Sequence, residues 1–310
     1  MSCKYSTTVW LPEVRKKVVY LDQFFFSSAF RGREQRFVEA AQRIRDLSSL
    51  QLLVVPFSSI HEDETHQWRG YGGKNKDDLM EFIKATSRGH EFEPAYDVER
   101  TQIIRAFQAF LAGHSSEFVL EERDAVEGSI HEWDDYFRID VGRYIGDIEL
   151  IRDLKSQSTE QLVGIFEGWR QSVNTLEQDV ELELRAAAKG YLDSYFAYAA
   201  RVAGGDFNAL FDSPIMSTIV QSMLYCFSED TPPEVRLERV ARFFVSEHFA
   251  NVPYQWFSAR MFASLKDMVK RGAYANRENA LQRLSGFFQD VKHIATYAPY
   301  CDAFVMDQPM

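Results

Sequence analysis

The chain has 310 residues, 45% of them hydrophobic and 14% aromatic, which is the composition of a folded globular protein and not of a disordered one. Its net charge of −11 argues against a protein that coats nucleic acid non-specifically, because such binding depends on neutralising phosphates. The three cysteines, Cys3, Cys226 and Cys301, lie far apart and form no C-x-x-C pair, so neither a zinc ribbon nor a redox motif is indicated.

The first 70 residues predict alternating strands and helices. Residues 17–22 form a short, β-branched apolar run that ends in an acid, which is typical of a buried strand. Apolar positions then recur at helical spacing over residues 33–50, and residues 50–55 form a second buried-strand pattern. A Ser-Ser pair at residues 58–59 can cap the helix that follows. This order predicts a right-handed βαβ unit with a parallel sheet.

Residues 71–275 show almost only helical periodicity. The glycine-rich loop at residues 69–75 is not a P-loop, because the first required glycine is Trp68 and neither Ser nor Thr follows Lys74. An aromatic stripe at Trp133, Tyr136 and Phe137 predicts core packing. A coiled-coil-like seam that could pair two copies of the chain is formed by Leu162, Phe166, Trp169, Val173, Leu176 and Val180. We therefore expect a large all-α insertion.

The last segment, residues 276–310, combines a predicted helix with a predicted strand. A helix is predicted over residues 276–296, and on it Asp290 and His293 lie one turn apart on the same face. Residues 301–306 then form a short apolar strand that leads into Asp307. If this strand joins the N-terminal sheet, the two ends of the chain build one domain.

Acidic side chains follow the predicted strands. Asp22 closes the first strand, residues 62–64 lie in the first turns after the second, and Asp307 closes the last. Ligands of parallel sheets bind at the carboxyl ends of the strands, where these acids would converge with Asp290. Converging carboxylates repel one another without a cation, and hard oxygen ligands suit Mg²⁺ or Mn²⁺. The alternative for any single acid is a turn former or a helix cap.

The segments that carry these acids resemble a PIN-like family of bacterial nucleases. They are Val-Tyr-Leu-Asp-Gln at residues 19–23, Val-Pro-Phe-Ser-Ser-Ile-His-Glu-Asp-Glu-Thr at residues 55–65, Asp-Val-Lys-His at residues 290–293 and Ala-Pro-Tyr-Cys-Asp-Ala-Phe-Val-Met-Asp at residues 298–307. The resemblance covers about the first 70 and the last 35 residues. A PIN domain would continue into a further helix and strand beyond Asp307, so we expect a sheet that lacks one element or a shortened chain.

The resemblance implies a site as well as a fold. It implies that Asp22, Glu64, Asp290 and Asp307 bind Mg²⁺ or Mn²⁺ and hydrolyse a nucleic-acid backbone, with Asp302 as an additional metal ligand. Glu62 is the alternative to Glu64, two positions away. His61 and His293 are further candidates for orienting water or binding phosphate.

We therefore predict an α/β protein: a PIN-like parallel sheet built from residues 1–70 and 276–310, with residues 71–275 as an all-α insertion. The expected function is that of a metal-dependent endoribonuclease, with RNA, single-stranded or structured, favoured over DNA, and a role as toxin or defence effector. The alternatives are a non-catalytic helical scaffold with a degenerate PIN-like core and, ranked last, a nucleotide-binding α/β protein. Without a signal peptide or a membrane-spanning run, a cytoplasmic location is expected, and the insertion offers a homodimer interface.

Overall fold

The computed structural model describes residues 15–126, 148–210 and 213–307. Three short strands, β1 (Lys17–Leu21), β2 (Leu53–Val54) and β3 (Ala303–Val305), form a parallel sheet in the order β2-β1-β3. In the register of β1 and β3, Leu21 lies opposite Val305. The strand near the C-terminus therefore pairs directly with the first strand, as predicted.

Helices make up most of the described chain. Their bounds are α1 (Gln23–Arg31), α2 (Gln35–Ser49), α3 (Ser59–His66), α4 (Lys76–Ser87), α5 (Ala95–Leu111), α6 (Ile148–Gly164), α7 (Phe166–Arg170), α8 (Leu176–Ala203), α9 (Ile215–Leu224), α10 (Pro233–Phe244), α11 (Glu247–Ala250), α12 (Pro253–Lys270), α13 (Arg277–Arg283) and α14 (Phe287–Tyr297). Short 3₁₀ helices cover Glu122–Asp124, Phe207–Leu210 and Ala298–Tyr300. No helix in the described ranges is both long and apolar enough to span a membrane.

The central strand β1 is buried on both faces, as expected for a strand in a parallel sheet, whereas Ala303 and Val305 of β3 are exposed. Leu21 of β1 belongs to a core with apolar residues of α1, α2 and α4, whereas Tyr20 belongs to a second core with residues of α3, α5 and α14. Leu79 on α4 and Val98 on α5 are fully buried in these cores. The expected boundary at residue 71 therefore does not coincide with a change of core, because α4 and the start of α5 pack on the sheet.

The remaining helices form their own core and join the sheet through α14. Aromatic residues of α5, α8, α10 and α11 pack together, including Phe107, Tyr191, Phe243 and Phe249. Helix α12 packs against both α8 and α14. The C-terminal segment thus belongs to the helical region and to the sheet at once, which holds the two parts of the molecule together. The predicted stripe at Trp133, Tyr136 and Phe137 lies outside the described residues.

Several predicted elements differ from the structure. Helix α1 was not predicted, and β2 has two residues where six were expected. The coiled-coil-like seam is wrong, because the chain leaves the helix between α7 and α8 and Val173 there is 95% exposed. The predicted helix over residues 276–296 is two helices, α13 and α14, separated by a break at residues 284–286.

Candidate metal centre

The carboxyl ends of β1 and β3 meet at one edge of the sheet. The backbone N–H of Asp22 donates to the carbonyl oxygen of Val305 at 2.9 Å, so Asp22 is the first residue past the paired strands. Asp22 also begins α1, and its carboxylate accepts a hydrogen bond of 2.7 Å from the backbone N–H of Gln23. Asp307 follows β3 by two residues. Parallel pairing alone therefore brings both acids to the same edge.

Glu64 reaches this edge from α3. Ser58 is the N-cap of that helix, which places Glu64 in its second turn. The glutamate that joins Asp22 is thus Glu64 and not Glu62. Helix α1 lies beside α3, where the amide of Gln23 donates to the hydroxyl of Thr65 at 2.9 Å. Helices α1 and α3, which position Asp22 and Glu64, are therefore fixed relative to each other.

Helix α14 supplies an imidazole and a fourth acid. The Nε2 atom of His293 lies 3.3 Å from Oε2 of Glu64 and 3.9 Å from Oδ1 of Asp22. One ligand atom from each of these three residues lies within 4.8 Å of the other two, a spacing that could hold a metal ion. Asp290, one turn earlier, lines the same open cleft of about 640 Å³, as do Asp22, Glu64 and Asp307. The N-terminal and C-terminal segments of the chain therefore together form one cluster of four carboxylates and an imidazole.

Asp22, Asp290 and Asp307 are destabilised in their charged forms. Partial burial raises the pKa of Asp290 to about 7, and the charges of Asp22 and Glu64 add to this effect. Burial also raises the pKa of Asp22, although the nearby His293 opposes the shift. The pKa of Asp307 is raised by desolvation and by the charge of Glu64. Burial, with a smaller contribution from the neighbouring acids, thus disfavours the charged carboxylates, and a bound cation would favour them.

His293 is held by a buried chain of hydrogen bonds. Its Nδ1 atom contacts the hydroxyl of Tyr20, and that hydroxyl lies 2.7 Å from the hydroxyl of Ser58. Both His293 and Tyr20 are fully buried, and burial raises the pKa of Tyr20, which keeps the phenol neutral. The phenol and the Ser58 hydroxyl can each donate or accept. The chain therefore allows Nδ1–H to donate to Tyr20, which leaves the Nε2 lone pair directed at the two carboxylates.

His61 has a structural role below the cleft. The backbone N–H of Ser58 donates to its Nδ1 at 3.0 Å, so the proton is on Nε2, which donates to the carbonyl oxygen of Leu21 at 2.8 Å. Burial and the neighbouring His293 lower the pKa of His61, so its ring is neutral. Because both ring nitrogens bond to the backbone, His61 fixes α3 on β1 and does not face the cleft.

Asp302 lies at the amino ends of the strands, on the side of the sheet opposite the cleft. Its carboxylate pairs with Nζ of Lys17 at 2.6 Å and accepts from the backbone N–H of Val18 at 2.9 Å. These contacts lower the pKa of Asp302. Because β3 runs parallel to β1, a residue that precedes β3 lies at the amino end of β1, opposite Asp22. The structure therefore separates Asp302 from the other four acids, contrary to its predicted place among the metal ligands.

Three features of the site were not predicted from the sequence. Tyr20 has the strand pattern of a core residue, and only its contact with His293 reveals a second role. Arg283 lines the acidic cleft together with Asn279 and Ser285, all from α13 or the turn after it. Helix α13 was expected to be part of one continuous helix, whereas it ends at Arg283, before the break at residues 284–286. His293 lies one turn from Asp290, as the sequence predicts, but it joins Asp22 and Glu64 as a possible metal ligand and not only as a residue that orients water or binds phosphate.

Comparisons with known proteins identify no relative: no family model, no curated protein and no solved structure matches the chain. The resemblance to PIN-like nucleases therefore stays a prediction that depends on the order of the motifs and on the cluster described above. The α/β fold with its parallel sheet and helical bulk depends on the structure alone.

Proposed function

We propose that this protein is a divalent-metal-dependent phosphodiesterase of the PIN-like type that cleaves nucleic acid, RNA in preference to DNA. The observation that carries the proposal is the convergence of Asp22, Glu64 and His293 within 4.8 Å in a cleft that also contains Asp290 and Asp307. The preference for RNA and a role as toxin or defence effector come from the resemblance. A cytoplasmic location fits that role.

The donor set fits a divalent cation. Two carboxylates and one imidazole would hold it, with Asp290 and Asp307 close enough to add oxygen ligands directly or through water. Carboxylates suit Mg²⁺ and Mn²⁺ alike, but an imidazole ligand favours the softer ion, so Mn²⁺ fits this site better than Mg²⁺. When bound, such an ion makes water more acidic and offsets the charge of a phosphodiester.

The side chains around the cluster supply the other requirements of phosphodiester hydrolysis. Tyr20 holds the ring of His293 in one orientation. Arg283 places a permanent positive charge in an otherwise acidic cleft, where it can bind a substrate phosphate through two N–H groups. Asp290 lines the cleft one turn before His293, where its carboxylate could bind the cation or accept a proton from the attacking water.

The test is an Asp22→Asn variant of the full chain, compared with wild type and with Asp302→Asn as a matched control. Mn²⁺ binding is measured by calorimetry, and cleavage of a fluorescent RNA is followed with and without Mn²⁺. We expect Asp22→Asn to lose Mn²⁺ binding and at least about hundredfold in rate. Asp302→Asn removes the same charge at the opposite edge of the sheet and should retain both.

Two outcomes would contradict the proposal. Wild-type protein that binds no Mn²⁺ through these residues would favour a non-catalytic scaffold with a degenerate core. Equal cleavage by wild type and Asp22→Asn would mean that the measured hydrolysis does not come from this cleft.

A further inference from the structure

A surface that combines basic and aromatic side chains lies beyond the acidic cleft. It consists of Arg31 at the end of α1, Arg33 in the following turn, and Trp68, Tyr71 and Lys74 after α3. The Arg31 guanidinium lies 5.9 Å from the ring centre of Trp68, and that of Arg33 lies 4.7 Å from the ring centre of Tyr71. Arg33 also donates from Nε to the hydroxyl of Tyr71 at 3.2 Å. We call this set the basic–aromatic surface.

The cations of this surface keep their charge available. Arg31, Arg33 and Lys74 are exposed, and within the described ranges each has an aromatic ring as its partner and no carboxylate within ion-pair distance. The nearby Arg36 differs, because it pairs with Glu34 at 2.6 Å. In a chain with a net charge of −11, three uncompensated cations on one small surface are a local reversal of the overall charge. Such a surface attracts a polyanion.

A tight turn holds Tyr71 and Lys74 side by side. Each donates its backbone N–H to the carbonyl oxygen of the other at 3.1 Å. Gly70 begins the turn at a φ of +84°, and a Cβ there would lie 2.7 Å from the carbonyl oxygen of Lys74. Only glycine fits that position without moving the backbone. The glycine-rich loop at residues 69–75 does not bind phosphate as a P-loop does. Its turn instead places the aromatic ring of Tyr71 and the cation of Lys74 next to each other.

The surface is connected to the cleft by two helices. Helix α1 begins at Asp22 and ends at Arg31, and α3 carries Glu64 one turn before Trp68. Phe30 and Trp68 contact each other with ring centres 5.8 Å apart, so the two helices are in contact at this end as well. The eight steps from the start to the end of α1 span about 12 Å. That distance corresponds to about three or four nucleotides of a stacked strand.

We propose that the basic–aromatic surface binds a single-stranded nucleic acid whose scissile phosphate lies in the acidic cleft, a proposal that rests on the function proposed above. Arg31, Arg33 and Lys74 contact phosphates, and Tyr71 stacks on a base. Stacking on an exposed ring requires an unpaired base, and it tolerates any base because each has a π-face. The surface therefore selects single strands over duplexes and reads no particular sequence.

The experiment measures binding without cleavage. A labelled RNA of about 12 nucleotides, within the usual site sizes for single strands, is titrated with the full chain by fluorescence anisotropy in a chelator. We expect Arg31→Gln/Arg33→Gln to bind about tenfold more weakly and to reduce the slope of log affinity against log salt by about 1.4. The matched control is Arg185→Gln/Arg239→Gln, which removes the same charge from exposed positions on α8 and α10 and should bind as wild type does.

Two further variants test the ring and its turn without changing the charge. Tyr71→Ala should weaken binding about fivefold, whereas Tyr71→Phe, which keeps the ring, should stay within about twofold of wild type. Gly70→Ala should weaken binding as well, because it displaces Tyr71 and Lys74 from each other. Thermal unfolding of each variant checks that the chain still folds.

The proposal is overturned if the two double variants weaken binding equally, because then only total charge matters. It is also overturned if a duplex of the same length binds more tightly than the single strand, or if Tyr71→Ala binds as Tyr71→Phe does. All of these measurements are made without a divalent cation. Loss of the proposed catalytic function, shown by Asp22→Asn and Mn²⁺ binding, would therefore be recognised separately.

Discussion

Replacing Asp290 by Asn should stabilise the metal-free protein. The carboxylate has a pKa of about 7 in the folded state, against an ordinary value of 3.8, so the folded protein disfavours its charged form. A shift of about three units corresponds to at most about 4 kcal/mol, and solvent screening of this partly exposed group reduces the expected gain to about 1–3 kcal/mol. Asn has nearly the same shape and no charge, so it removes the cost of desolvating the carboxylate and the smaller repulsion from Asp22 and Glu64 without leaving a cavity.

The pH dependence of this effect has a definite sign. A raised folded-state pKa means that the stability is fully present below the unfolded pKa and is lost as the pH rises through about 7. In a chelator the two proteins should therefore unfold alike near roughly pH 4, and the variant should be the more stable at roughly pH 8. For a chain of this length, 1–3 kcal/mol corresponds to a rise in melting temperature of about 2–5 °C.

Addition of Mn²⁺ should offset this difference in stability. A ligand at about a hundred times its dissociation constant stabilises the folded state by about 2.7 kcal/mol, and wild type should gain this while Asp290→Asn gains much less. Differential scanning fluorimetry measures the melting temperatures of both proteins with and without Mn²⁺. The reasoning is refuted if Asp290→Asn is the less stable protein in the chelator at roughly pH 8, because burial and the neighbouring acids would then not disfavour the charged form of Asp290.

Two further variants test the surroundings of the cluster, and a third tests Glu99, an acid of α5 that contacts Tyr191 in the helical core. Tyr20→Phe removes the hydroxyl that orients His293 and should weaken Mn²⁺ binding by about 10- to 100-fold in calorimetry, so unchanged affinity would show that the ring needs no such partner. Arg283→Gln should lower kcat/KM for RNA cleavage by about 10- to 100-fold while Mn²⁺ affinity stays the same, and an unchanged rate would exclude this residue from phosphate binding. Burial raises the pKa of Glu99 to about 7, so its contribution to stability is present below its unfolded pKa and is lost as the pH rises through 7. The unfolding free energy of wild type, measured with urea, should fall with rising pH, and in Glu99→Gln this fall should be smaller by about 2–3 kcal/mol. The same dependence on pH in wild type and Glu99→Gln would contradict the raised pKa of Glu99.

The ends of the strands could be predicted from the sequence because their signals are local. A β-branched apolar run followed by an acid marks both β1 with Asp22 and β3 with Asp307, and a parallel sheet collects such ends at one edge. The Ser-Ser pair before Glu64 indicated a helix start, and Ser58 is its N-cap. These features need no knowledge of distant contacts.

Other local sequence patterns are compatible with more than one structure. Asp22 ends a strand and also caps α1, and Gly32 at a φ of +66° ends that helix after nine residues. An acid that closes a strand can equally begin a helix, so the helix was missed. Asp302 shows the opposite error, since strand direction alone places a residue before β3 at the amino edge, away from Asp307.

The partners of the acids were decided only by the tertiary structure. Tyr20 and His293 are 273 positions apart, and nothing in either local pattern indicates that their side chains share a hydrogen bond. Arg283 lines the cleft from α13, a helix separate from α14, and a periodic apolar pattern does not reveal that separation. Asp22 and Asp307 follow from strand ends, and Glu64 and Asp290 from helix patterns, all of which are local in the chain. The imidazole, the phenol and the arginine depend on packing between distant helices, where burial and geometry, and not neighbouring residues, determine which groups meet.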